Sequence, residues 1–226
     1  MDTLLSEPLF YIFFVYGLSF LIMAAVIGEE LVRTTSIGLV SSFWMLVLFG
    51  FLHGGAELCD WARLIGTTLN RPESVNFLYV GQVSMILSFV FLLQFAVNLL
   101  TYKSGKKVFF RAIPLVLFAI YIAAIVTLNI SDIRQMGLIA RYGFGFTGAA
   151  LSAIALFKLV HTMKTFGIVK LVRGLNVTAL GFLCYAVFGG LLIHPIIGIP
   201  IQLFRAVCAA TIAYASYAIL DVFRVE

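Results

Sequence analysis

Residues 9–28 read LFYIFFVYGLSFLIMAAVIG, twenty positions without one Asp, Glu, Lys or Arg. At about 1.5 Å per residue, a helix of this length measures about 30 Å, the hydrocarbon thickness of a bilayer. Six further apolar segments follow, at residues 37–61, 77–102, 110–130, 137–159, 175–194 and 201–223. In lipid every backbone polar group needs an internal partner, so only helices and closed barrels can span. A barrel would use alternating segments of about ten residues, half the length of these runs. The chain therefore reads as all-α, a polytopic membrane protein built as a seven-helix bundle.

The composition agrees. Of 226 residues, 62% are hydrophobic and 11% charged, with a mean hydropathy of +1.10. A soluble domain is about half apolar and about a quarter charged. Disorder is excluded for the same reason. No long polar stretch divides the chain, so a single domain over residues 1–226 is expected. The start is acidic and the first run is long, which argues against a cleavable signal peptide. Cys59, Cys184 and Cys208 form no CxxC pair. Phosphate loops, Ser–His–Asp arrangements, kinase motifs and nucleic-acid modules are all missing. Neither an enzyme nor a nucleic-acid partner is expected.

The basic residues orient the bundle. One side, holding the N-terminus and the connections after spans two, four and six, carries 5: Arg63, Arg71, Arg134, Arg141 and Arg205. The other carries 10: Arg33, Lys103, Lys106, Lys107, Arg111, Lys158, Lys164, Lys170, Arg173 and Arg224. This places the N-terminus outside and the C-terminus in the cytoplasm, with a bacterial inner membrane as the expected location. Gly and Ala crowd spans five to seven, where small residues let helices approach closely in lipid.

His53, Glu57 and Asp60 stand at i, i+4 and i+7 of span two. On a helix they fall within about 60° of one another, with His53 about 10 Å deeper than Asp60. A carboxylate or imidazole at such depth costs several kcal/mol unless it is paired or solvated, so these residues face a bundle interior or a wet cavity. With the span ending near Arg63, Arg141 opening the fifth span and Arg205 opening the seventh, Glu57 and Asp60 are expected to accept from the two arginines or from a cationic ligand group. Tyr142, His194 (before Pro195) and Gln202 complete an expected outward-facing cluster among spans two, five, six and seven. Carboxylate–arginine pairs that only fix packing and a ligand-sensing pocket both fit these residues. His53, Glu57, Asp60 and His194 are ordinary metal ligands, but their spacing matches no metal signature, and none is expected. Haem would have to use His53 and His194. Haem or quinone is the lesser reading, and no cofactor is expected.

Phe49-Gly50-Phe51-Leu52-His53-Gly54, with Glu57 and Asp60 after it, resembles a motif in the N-terminal seven-helix region of bacterial sensor histidine kinases. Ala140-Arg141-Tyr142-Gly143-Phe144, Gly198-Ile199-Pro200-Ile201-Gln202-Leu203-Phe204-Arg205-Ala206 and Asp221-Val222-Phe223-Arg224-Val225-Glu226 are similar to the same region. The resemblance implies a non-catalytic input module whose last helix drives a cytoplasmic output domain or signalling partner. It also implies a cytoplasmic C-terminus, a homodimer, and functional roles for His53, Glu57, Asp60, Arg141 and Arg205. The family pattern has an aromatic after the glutamate, where this chain has Leu58 and places Trp61 after the aspartate. No phosphoacceptor His or ATP-binding domain falls within residues 1–226. An excised input domain, or a standalone relative that signals through another protein, is therefore expected. A membrane anchor subunit of a redox complex is the alternative, and a small-molecule transporter the third.

Overall fold

The computed structural model describes residues 7–33, 40–71, 74–102 and 107–220. These form seven helices: α1 Pro8–Arg33, α2 Val40–Thr68, α3 Ser74–Leu100, α4 Lys107–Thr127, α5 Ile133–Lys164, α6 Val169–Leu191 and α7 Ile201–Leu220. The first six are long and apolar enough to cross a membrane, which makes this a multi-pass helical membrane protein. No strand occurs among the described residues. The C-terminal stretch 221–226, together with Lys103 and Lys106, lies outside them.

Six helices close a ring. α1 packs on α2 and α7, α2 on α3, α3 on α5, α5 on α6, and α6 on α7. α4 sits outside, against α3, with only 11% of its apolar window buried inside the protein. The ring interior is filled by Tyr16, Phe20 and Met23 of α1, Leu46 and Phe49 of α2, Leu92 and Phe95 of α3, and Phe182 and Tyr185 of α6. Glycines set the spacing. A Cβ on Gly54 would lie 2.7 Å from the Gly17 carbonyl oxygen, so α1 and α2 touch backbone to backbone there. Buried Ala149, Ala153, Ala179 and Ala209 do the same work among α5, α6 and α7.

Several boundaries differ from the sequence reading, and three of them bear on the site. α2 runs past Trp61 and Arg63 to Thr68, carried on by the strong helix formers Ala62, Arg63 and Leu64 before Gly66 and the threonines weaken it. It stops where Asn70 turns left-handed (φ 52°) and the N–H groups of Asn70 and Arg71 close back on Thr67 and Gly66 at 3.2 and 2.8 Å. α5 starts earlier, at Ile133, capped by the Asp132 carboxylate on the Arg134 N–H at 2.9 Å. Arg141 therefore lies two turns inside α5 rather than at its mouth. α6 ends at Leu191, and His194 falls in the connection to α7. That connection folds on itself through mutual Ile196–Ile199 hydrogen bonds, with Ile197 and Gly198 at positive φ.

Two helices carry a wide turn, α5 in mid-course and α6 at its C-terminal end. Arg141–Phe146 of α5 and Ala186–Leu191 of α6 are π-helical, and they pack against each other. A Cβ on Gly190 would meet Phe146 Cα at 2.6 Å. Such wide turns leave carbonyls without their usual partner and recur at functional sites.

Candidate functional site

His53 is 1% exposed and sits at the centre of the ring. The rings of Phe20, Phe49 and Phe89 surround its imidazole at centroid distances of 4.9, 5.2 and 5.2 Å. Both ring nitrogens have partners. Nδ1 lies 2.8 Å from Ser88 Oγ, and that hydroxyl donates to the Met85 carbonyl at 2.6 Å. The only serine proton is thus committed, so Ser88 accepts and His53 Nδ1 carries a hydrogen. In the neutral ring Nε2 is then an acceptor, facing the Tyr185 hydroxyl at 2.7 Å. Tyr16 completes the group, 2.9 Å from the Tyr185 hydroxyl and 3.3 Å from Nε2. Four helices meet through this one polar chain: α1, α2, α3 and α6.

A second polar centre lies nearer the pocket-side ends of the helices. Arg141, at the start of the α5 π turn, donates from Nη1 to the Gly189 carbonyl at 3.1 Å, and its Nη2 lies 3.3 Å from Met85 Sδ. Arg205, on the second turn of α7, donates from Nε to the Phe188 carbonyl and from Nη2 to the Leu192 carbonyl, each at 2.7 Å. Two guanidiniums thus hold three carbonyls of the disrupted end of α6. A bare carbonyl in hydrocarbon costs several kcal/mol, and the helix C-terminus carries partial negative charge. Both effects draw arginine there.

Beside them opens a pocket of about 220 Å³, lined by Gln82, Met85, Arg134, Gly137, Leu138, Arg141, Ile193, Ile201, Gln202 and Arg205. Arg141, Gln202 and Arg205 are therefore brought together as expected. The other expected members part company with them. Glu57 is buried, and its carboxyl lies 3.6 Å from His53 Nε2, on its own helix. No carboxylate among the described residues lies within 4.0 Å of Arg141 or Arg205. The expected pairing of Glu57 and Asp60 with these arginines is thus corrected, because the guanidiniums turn to the α6 carbonyls instead. Asp60 pairs one turn along with Arg63, at 3.1 Å, at the partly exposed end of α2. Tyr142 is 41% exposed and lines neither the network nor the pocket. His194 is exposed in the α6–α7 connection. His53, Glu57, Asp60 and His194 do not converge, and no metal-ligand group of three occurs among the described residues.

Sequence reasoning overlooked Tyr16, Ser88, Tyr185, Gln82 and Arg134. Mid-span Tyr and Ser are common packing residues and give no signal alone. Gln82 does stand out, as a carboxamide in an apolar run. No family model, no curated protein and no solved structure matches the chain.

Proposed function

We propose that the chain is a non-catalytic signal-input module of seven spans, whose pocket takes a ligand and whose seventh helix carries the response. The observation that supports this best is the double engagement of Arg205. It lines the pocket and also holds the Phe188 and Leu192 carbonyls, so whatever enters competes for the group that fastens α7 to α6. A ligand shifts the bundle only if it binds the two arrangements with different affinity. The pocket lies at the end shared by the C-terminus of α6 and the N-termini of α3, α5 and α7. The distribution of Lys and Arg supports that end lying outside, with the N-terminus outside and α7 leading into the cytoplasm of a bacterial cell. The resemblance to the membrane region of sensor histidine kinases points the same way, to an output domain or signalling partner beyond α7 and to a homodimer. His53, Glu57 and the two tyrosines then form the fixed centre about which the ring helices shift.

The test is transcriptional. In the native host, deletion of the gene and an Arg205→Gln change are expected to alter one discrete set of transcripts in the same direction. Loss of solute uptake without that set would favour a transporter. A redox-complex anchor would instead show as lost quinone-linked respiration. With both His53 nitrogens engaged by hydroxyls, a haem iron would have to displace one of them. A Soret band lost in His53→Ala would overturn the proposal.

A further inference from the structure

We infer that the pocket is a binding site for a compact oxyanion, a carboxylate or a phosphate. The inference deepens the signalling reading and rests on it only for its consequence. The argument begins with charge. Arg134, Arg141 and Arg205 all line one pocket of about 220 Å³. The carbonyls at the end of α6 offset this only by a helix terminus, about half an elementary charge. The first turn of α7, contributing Ile201 and Gln202, brings a helix N-terminus of opposite sign to the same wall. Even with Glu57 and the capping Asp132 both counted as full negative charges, three guanidiniums outweigh them.

Donors are also left over. A guanidinium has five N–H groups in a fixed fork that matches carboxylate and phosphate. Arg205 uses one at Nε and one at Nη2, and Arg141 one at Nη1 and one at Nη2. Each keeps three. The carboxamides of Gln82 and Gln202 add donors from α3 and α7. Met85, Leu138, Ile193 and Ile201 supply apolar wall, which lowers the local dielectric beside the guanidiniums and strengthens charge-assisted bonds. Pockets for drug-sized ligands run to about 300–1,000 Å³, so this one suits a small anion or a single headgroup.

The chain in dodecyl maltoside would be titrated with sodium phosphate and with sodium succinate, against sodium chloride at equal ionic strength, by calorimetry and thermal unfolding. A parallel arm uses nanodiscs with and without phosphatidylglycerol. Saturable binding of at least one free anion is expected, weakened tenfold or more in Arg134→Gln. Arg134 is exposed at the rim and joins the fold through its backbone N–H, so this variant keeps the bundle intact. If only phosphatidylglycerol stabilises the protein, and Arg134→Gln removes that effect, the oxyanion is a lipid headgroup. The site is refuted if none of the three probes binds saturably, or if binding is unchanged in both Arg134→Gln and Arg205→Gln. Anion binding without the transcript set would leave the site standing and remove the signalling reading. The transcript set without anion binding would do the reverse.

Discussion

The Tyr185 hydroxyl lies 2.7 Å from His53 Nε2, although 132 positions separate the two residues. The contact joins α6 to α2 across the ring. It also gives the buried imidazole an acceptor site that is filled from outside its own helix. Ser88, on α3, accepts the Nδ1 hydrogen and so satisfies the other side of the ring. His53 is thus a junction of helices before it is a candidate for any chemistry.

Tyr185→Phe should cost about 1–3 kcal/mol, the penalty for leaving a buried acceptor unsatisfied. Tyr16→Phe should cost less, because the Tyr16 hydroxyl is the more distant from Nε2, at 3.3 Å. In the double variant the losses should fall short of additive, since Tyr16 acts partly through Tyr185 at 2.9 Å. Denaturation in mixed micelles followed by circular dichroism measures all three. Equal and additive losses would mean that the hydroxyls do not form one chain.

The contact of α1 with α2 depends on Gly17 and Gly54, and the neighbouring glycine supplies the control. A Cβ on Gly54 would meet the Gly17 carbonyl oxygen at 2.7 Å and Leu21 Cγ at 2.9 Å, whereas one on Gly55 meets nothing within 4 Å. Gly54→Ala should destabilise by about 1–3 kcal/mol through overpacking. Gly55→Ala should hold or raise stability, since alanine is the better helix former by up to about 1 kcal/mol. Thermal midpoints of the two variants, measured side by side, decide the point.

The same comparison explains how far the sequence could be read. The apolar runs locate the helices, because lipid forces each backbone to bond within itself. The ends were harder. Thr67 and Thr68 satisfy the Leu64 carbonyl with their hydroxyls at 2.9 Å, so α2 continues where hydropathy falls. His53, Arg141 and Arg205 were legible as costly groups at depth. Their partners were not, because charge complementarity suggested Glu57 and Asp60. The actual partners of the arginines are backbone carbonyls of Phe188, Gly189 and Leu192. Those became available where α6 ends in a π turn, a stop that no spacing in the residues announces.

Arg205 should accordingly matter through geometry as well as charge. Arg205→Gln leaves the Phe188 and Leu192 carbonyls short of a charged donor, each such bond being worth about 1.5–3 kcal/mol. Arg205→Lys keeps the charge but lacks the fork that reaches both carbonyls at once. Stability should fall in the order Arg, Lys, Gln. A lysine variant equal to the parent would show that one point charge suffices, and that the paired carbonyl bonds contribute little.

The proposed crossing of α7 carries the last prediction. α7 has Arg205 in its second turn, yet that residue is only 6% exposed, with its head bonded to α6. The charge is therefore hidden from lipid, as the proposed seventh crossing requires. Ile197 in the α6–α7 connection is 96% exposed, and Phe166 in the α5–α6 connection is 66% exposed, at the opposite end of α6. With Cys59, Cys184 and Cys208 replaced by serine, Ile197→Cys in intact cells should react with a membrane-impermeant maleimide. Phe166→Cys should react only after lysis. A C-terminal alkaline phosphatase fusion should be inactive, because a crossing α7 delivers it to the cytoplasm. Labelling of Ile197→Cys together with an active fusion would mean that α7 returns without crossing. Labelling of Phe166→Cys alone would invert the whole bundle and place the arginine pocket inside.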